Sequence, residues 1–216
     1  MREQMISSIL EEKLIVILRG IKKEHLIDLV TAMYNGGVRL VELAYSANGS
    51  VSDEETAYNI KLLHNEFLGK MHVGAGTVLT KKQVRLTKEA GGEFIISPDC
   101  NGDVIRMTRQ LDMVSIPGCF SPTEMQQAHL HGADFIKLFP ASAFDAKYVK
   151  AVTSPLSHLR LLAVGGIDLN NIMEYKKAGI CGFGIGSNLI DKKLIESGKY
   201  SKITELTDKY VTLIKE

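Results

Sequence analysis

The 216-residue chain contains no tryptophan, only 6% aromatic residues and only three cysteines. The cysteines, Cys100, Cys119 and Cys181, are scattered and form no CxxC pair. That pattern excludes a disulfide framework and favours free thiols in a reducing cytoplasm. The six histidines are not spaced as ligands, since His129 and His131 lie two apart on a predicted helix. We therefore expect neither a metal site nor a cofactor.

An excess of charge of one sign is also missing. The chain has 26 Lys plus Arg against 25 Asp plus Glu, which gives a formal net charge of +1. This balance gives no excess of positive charge of the kind that nucleic-acid-binding proteins carry. No apolar run approaches the roughly 20 residues of a membrane helix, and the acidic start MREQMISSILEEK does not resemble a signal peptide. We expect a cytoplasmic protein without nucleic-acid or membrane partners.

What the chain does contain is an alternation of short apolar runs and amphipathic stretches. The runs are LIVIL, VRLVEL, MHVGAG, EFIIS, MVSIPG, DFIKLF, LRLLAVGG and CGFGIG, and they start at residues 14, 38, 71, 93, 113, 134, 159 and 181. Thr80 with Gln83, and Ser121 with Glu124, form capping boxes that predict the starts of two of the helices between these runs. Eight β-rich runs at this spacing, with capped helices between them, predict one α/β domain over residues 1–216: a single (β/α)8 barrel with an extra N-terminal helix. An open doubly wound sheet is the alternative, but no GxGxxG follows the first run.

Charged side chains stand at the predicted carboxyl ends of these strands, where barrels of this kind carry their chemistry. Lys137 lies within the apolar sequence FIKLFP. Burial lowers the pKa of a lysine, and a neutral amine can attack a carbonyl, so Lys137 is a candidate Schiff-base residue. Glu42 ends the second run, and strand alternation allows it to meet Lys137 inside the barrel. The pair is either a buried ion pair or a nucleophile beside a proton-transfer group.

The last two strands end in glycines that suit phosphate binding. Gly165 and Gly166 follow the seventh run, and Gly186 and Ser187 follow the eighth. Loops at these two positions of a barrel often hold phosphate through backbone N–H groups. Arg19, at the end of the first strand, can grip a carboxylate with two parallel hydrogen bonds.

Nine short motifs, in order and in compatible spacing, resemble the bacterial KDPG/KHG aldolase family. They are ILRGI, VEL, GAGTVL, ISP, PG, SPTE, KLFPAS, VGG and GFGIGS. The resemblance implies a metal-free class I aldolase on a (β/α)8 barrel and a homotrimer. Such enzymes cleave the sugar-phosphate keto acid 2-keto-3-deoxy-6-phosphogluconate to pyruvate and glyceraldehyde 3-phosphate, and many also cleave 4-hydroxy-2-oxoglutarate to pyruvate and glyoxylate.

The resemblance also assigns roles to single residues. Lys137 is the lysine that forms the imine, and Glu42 is the proton-transfer glutamate. Thr77 and Pro98 line the pyruvate end, and Phe139 forms an apolar wall. Gly165, Gly166 and Ser187 match the phosphate loops.

Two departures from the gluconate-type pattern concern the substrate. Ala44-Tyr45-Ser46 replaces the usual Thr-x-Arg after the glutamate, which leaves Arg19 to bind the carboxylate. Val164 stands where a threonine often precedes the two glycines, as in the branch that acts on the phosphogalactonate epimer. Two other functions stay open at this point: a metal-free sugar-phosphate isomerase or epimerase that uses Glu42 and Lys137 as acid and base, and a non-catalytic sugar-phosphate-binding protein.

Overall fold

A computed structural model describes residues 2–216, and within them nine parallel strands form a nearly closed barrel that is surrounded by helices. The strands are β1 (Leu14–Leu18), β2 (Leu40–Ala44), β3 (His72–Gly76), β4 (Phe94–Ile96), β5 (Val114–Ile116), β6 (Gly118–Cys119), β7 (Ile136–Leu138), β8 (Leu161–Val164) and β9 (Gly182–Ile185). The helices are α1 (Arg2–Glu12), α2 (Lys23–Asn35), α3 (Asp53–Glu66), α4 (Lys81–Glu89), α5 (Gly102–Gln110), α6 (Pro122–Leu130), α7 (Ala146–Thr153), α8 (Ile172–Lys177), α9 (Lys192–Glu196) and α10 (Tyr200–Lys215), with a 3-10 turn at Ala141–Ala143.

The strand count differs from the sequence-based expectation of eight at one place. The predicted fifth run is divided into β5 and β6 by Pro117, which has no N–H to donate to a neighbouring strand. The sheet runs in the order β5-β4-β3-β2-β1-β9-β8-β7-β6, so its two ends meet at this proline. Backbone bonds still cross from β7 to this segment: Phe135 N–H donates to the Ser115 carbonyl (3.2 Å) and Lys137 N–H to the Pro117 carbonyl (2.9 Å).

Local capping signals start several helices where the sequence predicts them. Thr80 and Gln83 form a capping box at α4, and Ser121 and Glu124 form another at α6, where Pro122 occupies the first turn. In each box the hydroxyl of the first residue accepts a hydrogen bond from an N–H group that has no partner within the helix. The side chain of Gln83 or Glu124 in turn accepts a hydrogen bond from the backbone N–H of Thr80 or Ser121. These caps fix the point at which the chain leaves each strand end and turns outward.

Apolar side chains pack on both faces of the barrel wall. One buried cluster lies inside, where alternate side chains point inward; its members include Ile15, Leu40, Phe94, Phe135 and Leu162. Met5, Ile6 and Ile9 of α1 join this cluster. A larger cluster packs between the strands and the outer helices. The interior is therefore filled, and α1 packs against it.

No helix within residues 2–216 is both long enough and apolar enough to cross a membrane.

Candidate active site

A cavity of about 450 Å³ opens at the carboxyl ends of the strands. Nine of the residues singled out in the sequence line it: Arg19, Glu42, Lys137, Phe139, Val164, Gly165, Gly166, Gly186 and Ser187. A second cavity of about 530 Å³ shares Arg19 and Phe139 with the first and is also lined by Thr77 and Pro98. The fold thus brings the sequence-predicted site residues to two adjoining cavities, and none of them lies elsewhere.

Lys137 is in the middle of β7 and is only 5% exposed. Its Nζ lies 4.2 Å from the centroid of the Phe139 ring. Among residues 2–216 no carboxylate oxygen comes within 4.0 Å of this ammonium nitrogen. Burial lowers the pKa of Lys137; the Glu42 charge opposes this and the Arg19 charge adds to it. The site therefore raises the fraction of the neutral amine, the form that attacks carbonyl carbon.

Glu42 is in β2, 2% exposed, with an Oε2 atom that is buried without a hydrogen-bond partner. Burial raises its pKa to about 7, although the charges of Lys137 and Arg19 pull in the opposite direction. A carboxyl group with this pKa can both take up and release a proton near neutral pH, which is the requirement for general acid–base catalysis.

The Glu42 side chain fits into its position because a facing residue of the neighbouring strand is a glycine, which has no side chain. β2 pairs with β3 so that Glu42 lies opposite Gly74 and Ala44 opposite Gly76. A Cβ atom added to Gly76 would overlap Oε1 of Glu42. The GAG sequence of β3 therefore leaves space for the carboxylate, a role that motif reading does not reveal.

Arg19 and Thr77 are joined across the mouth of the barrel. Nη2 of Arg19 donates a hydrogen bond to Oγ1 of Thr77 at 3.3 Å. Thr77 adopts a φ of 55°, which is uncommon for a β-branched residue. Backbone conformations of this kind concentrate at functional sites, where the surrounding structure holds them in place. The pair presents one guanidinium and one hydroxyl to the border between the two cavities.

The glycine-rich loop after β8 is held by hydrogen bonds to its carbonyl groups, one of them from the loop after β9. Gly165 and Gly166 have φ values of 92° and 79°, which favour glycine. The Ser142 N–H donates to the Gly165 carbonyl (2.9 Å), and Nδ2 of Asn171 donates to the Gly166 carbonyl (2.8 Å). In the next loop, Nδ2 of Asn188 donates to the Ile167 carbonyl (2.7 Å). These bonds fix two loops that suit anion binding through backbone N–H groups.

The cavities are also lined by residues that sequence reasoning did not assign to the site, among them Lys192, Tyr45 and Asn59. Lys192 lines the cavity that contains Lys137. Tyr45 and Asn59 line the second cavity, and Oδ1 of Asn59 is buried without a hydrogen-bond partner. Tyr45 is held by a 3.0 Å hydrogen bond between its hydroxyl and Oγ1 of Thr87. Lys192 and Asn59 belong to no motif, and Tyr45 stands at the unspecified middle position of the Thr-x-Arg pattern. The position of Lys192 shortly after the last predicted strand was the only signal for it in the sequence.

The remaining titratable residues do not gather into a metal centre. Within residues 2–216 no group of three His, Cys, Asp or Glu side chains is arranged to hold a metal ion. His72 instead pairs with Glu93 at 2.8 Å before β4, at the amino-terminal end of the barrel. The hydrogen bond to Glu93 raises the pKa of His72. His72 is the first residue of β3, at the end of the barrel opposite to the cavity that contains Lys137.

Comparisons with known proteins agree with this geometry. The family model described as KDPG and KHG aldolase matches residues 5–206. A probable 2-dehydro-3-deoxy-6-phosphogalactonate aldolase of Rhizobium meliloti is 36% identical over 181 residues, which cover 83% of this chain and 82% of the relative. A 2-dehydro-3-deoxy-phosphogluconate aldolase of Haemophilus influenzae is 29% identical and covers 99% of this chain and 98% of its own.

A solved structure of similar fold carries direct information about the chemistry of the relatives. It is the KDPG aldolase of Legionella pneumophila with pyruvate captured as a covalent carbinolamine intermediate, and it matches with a TM-score of 0.83 and 26% identity over 94% of this chain and 96% of that one. With a family model that matches most of its length, and a 36% identical relative of which it covers four-fifths, this chain belongs to the KDPG and KHG aldolase family.

Proposed function

We propose that this protein is a class I aldolase, a carbon–carbon lyase, that cleaves 2-keto-3-deoxy-6-phosphogluconate to pyruvate and glyceraldehyde 3-phosphate. The observation that carries the proposal is Lys137: a lysine 5% exposed, with a lowered pKa and no ion-pair partner among the described residues, in the same cavity as Glu42. Membership of an aldolase family supports the reaction class. An isomerase would use the same pair as acid and base but would need no nucleophilic amine.

The mechanism follows from the proton states of the two side chains. The neutral Lys137 amine attacks the C2 carbonyl of the substrate, and the carbinolamine loses water to give a protonated imine. Glu42, as carboxylate, removes the proton of the C4 hydroxyl. The C3–C4 bond breaks, its electron pair moves into the imine to form an enamine, and glyceraldehyde 3-phosphate leaves. Glu42 then returns the proton to C3, and water releases pyruvate from Lys137.

The other lining residues are proposed to position the substrate. Arg19 and Thr77 bind the carboxylate of the pyruvyl end, with Pro98 beside them and Phe139 as an apolar wall. The phosphate lies at Gly165, Gly166, Gly186 and Ser187, at the far side of the same cavity. The reaction as written needs no metal ion or organic cofactor.

A second substrate is favoured by two observations. Val164, which is 4% exposed, lines the cavity directly before the two glycines, and the relative named a probable phosphogalactonate aldolase is 36% identical. The galactonate epimer is therefore our alternative substrate. Cleavage of 4-hydroxy-2-oxoglutarate to pyruvate and glyoxylate would use the same imine, without the phosphate contacts.

We infer that β5 and β6 are one barrel strand interrupted at Pro117, which gives a (β/α)8 barrel with α1 as an additional N-terminal helix, and that residues 1–216 form one domain. Family resemblance supports a homotrimer. The balanced charge argues against nucleic-acid and membrane partners, and the unpaired cysteines support a cytoplasmic location.

Borohydride trapping tests the proposed function. After incubation with pyruvate and borohydride, we expect the wild-type protein to gain one reduced pyruvyl group in its intact mass, because borohydride reduces the imine to a stable amine. Lys137→Met replaces the amine by an apolar side chain of similar length. The variant should therefore keep its fold, as measured by circular dichroism, and should gain no pyruvyl group. An adduct on the variant, or none on the wild type, would overturn the imine mechanism; the second result would move the assignment to acid–base isomerisation.

A further inference from the structure

The charged residues that line the catalytic cavity are Arg19, Glu42, Lys137 and Lys192. The first three have the roles proposed above. Lys192 has none, and among residues 2–216 no carboxylate oxygen lies within 4.0 Å of its ammonium group. A cation at a cavity wall without an ion-pair partner is available to a ligand.

The chain brings Lys192 back to the cavity by a tight turn after β9. The N–H groups of Leu189 and Ile190 both donate to the Gly186 carbonyl, at 2.9 Å and 3.0 Å. Leu189 is fully buried and anchors the turn. Asp191 then caps α9 by accepting from the Lys193 N–H at 2.8 Å. Lys192 is consequently the first residue of α9, five positions after Ser187 and on the same cavity wall.

The glycine loops on that wall offer hydrogen bonds but no charge. The N–H groups of Gly166 and Ser187 donate to no backbone carbonyl of the described residues. Neutral N–H groups orient a phosphate, whereas a charged donor makes a shorter and stronger bond to its oxygens. A phosphate dianion at these loops therefore has no cationic partner on this wall of the cavity unless Lys192 supplies one positive charge.

We infer that Lys192 binds the substrate phosphate and that it sets the preference for phosphorylated over unphosphorylated substrates. The inference rests on the proposed function, because it takes the phosphate end of the substrate to lie at Gly165, Gly166, Gly186 and Ser187. Since the Lys192 side chain is exposed, the contact is partly screened by solvent and salt. Its contribution should therefore be greatest at low ionic strength.

Ligand binding separates this role from catalysis. We would measure the affinity of the whole protein for glycerol 3-phosphate by calorimetry, for wild type, Lys192→Met and Lys193→Met. Lys193 is the matched control, because it is the adjacent lysine, is exposed and does not line the cavity. Lys192→Met should weaken binding roughly 5- to 10-fold, between the effects of an exposed ion pair and of a charged hydrogen bond. Lys193→Met should bind like wild type, and Lys192→Arg should recover most of the affinity.

A steady-state comparison supplies the second readout. In condensation with pyruvate, Lys192→Met should raise the KM for glyceraldehyde 3-phosphate by a similar factor and leave the KM for glyceraldehyde unchanged. Equal glycerol 3-phosphate affinity in wild type and Lys192→Met, equal losses in both lysine variants, or no binding to wild type would each overturn the role of Lys192. Failure of the proposed function is a different result: a wild type that gains no pyruvyl adduct.

Discussion

Lys137 and Glu42 share one cavity, yet each is shifted toward its neutral form by burial. The penalty of removing an ion from water exceeds the mutual attraction of the two charges, since no direct contact within 4.0 Å joins them among residues 2–216. Of the two interpretations left open by the sequence, a nucleophile beside a proton-transfer group fits this geometry better than a buried ion pair does.

Glu42→Gln should have two effects. Loss of the proton carrier should slow turnover by about 10²–10⁴-fold. Loss of the negative charge should also lower the pKa of Lys137, because the Glu42 charge raises it. The pH dependence of pyruvyl-adduct formation, followed by borohydride trapping, should therefore move to lower pH.

Arg19→Met provides the opposite control. The Arg19 charge lowers the pKa of Lys137, so its removal should move the same pH dependence upward. Midpoints that stay fixed in both variants, or a near-normal turnover in Glu42→Gln, would show that these groups do not act on the amine as proposed.

Val164→Thr should change the choice between epimers. The side chain is buried at the cavity wall beside Gly165, and an added hydroxyl can hydrogen-bond a substrate hydroxyl of one configuration only. We expect the ratio of kcat/KM values to shift toward the gluconate epimer, as measured with both purified substrates. An unchanged ratio would remove Val164 from the specificity argument.

At the level of elements, the pairing of β2 with β3 places the proposed proton-transfer side chain, Glu42, against a glycine. Gly76 leaves the space that the Glu42 carboxylate fills, and the Ala44–Gly76 register fixes this contact. The carboxylate is 2% exposed, and a Cβ atom at position 76 would force it to shift within the cavity that it lines. The position of the proton-transfer group thus depends on the residue opposite as much as on β2.

Gly76→Ala should reduce kcat by about tenfold or more, because moving the carboxylate lengthens the distance over which it transfers a proton. Pyruvyl-adduct formation should persist, since Lys137 is on β7. In a Glu42→Gln background the same substitution should add little, because the two changes act through one group. Fully additive losses, or loss of the adduct, would indicate a general distortion of the barrel instead.

Element boundaries were predictable where local chemistry sets them. The capping boxes at Thr80 and Ser121 are confirmed, because a cap depends on residues within one turn. The division of the fifth strand was not predicted. The effect of Pro117 depends on which neighbour its missing N–H would have faced, and that is decided by pairing between distant segments.

Across the whole molecule, chemistry and packing occupy opposite ends of the barrel. Arg19, Glu42 and Lys137 line the cavity that opens at the carboxyl ends of the strands, and α1 packs its buried face against the interior cluster that fills the barrel. Arg2 of α1 also donates a hydrogen bond to Asp134, the residue that Arg109 contacts at 2.7 Å. Substitutions that loosen the packing of α1 should therefore lower the free energy of unfolding and leave the rate of the reaction unchanged.

Ile9→Ala should lower the free energy of unfolding by about 2–5 kcal/mol, the usual result of deleting a large buried aliphatic side chain. Ile9 is 1% exposed and belongs to the interior cluster. Urea denaturation measures the change, and kcat per folded molecule should stay at the wild-type value. Gln4→Ala, at an exposed position of the same helix, is the control. A loss of kcat in Ile9→Ala without loss of stability would contradict this separation.

The sequence by itself determined the alternation of strands and helices, and it placed Arg19, Glu42 and Lys137 within or directly after strands whose parallel pairing brings them to one side. These follow from periodicity and capping, which act over a few residues. Only the tertiary structure decided that Glu42 has a pKa of about 7, that Gly76 makes room for it and that Lys192 returns to the cavity. Burial and electrostatic fields depend on neighbours from distant parts of the chain, and no local pattern records which neighbours those are.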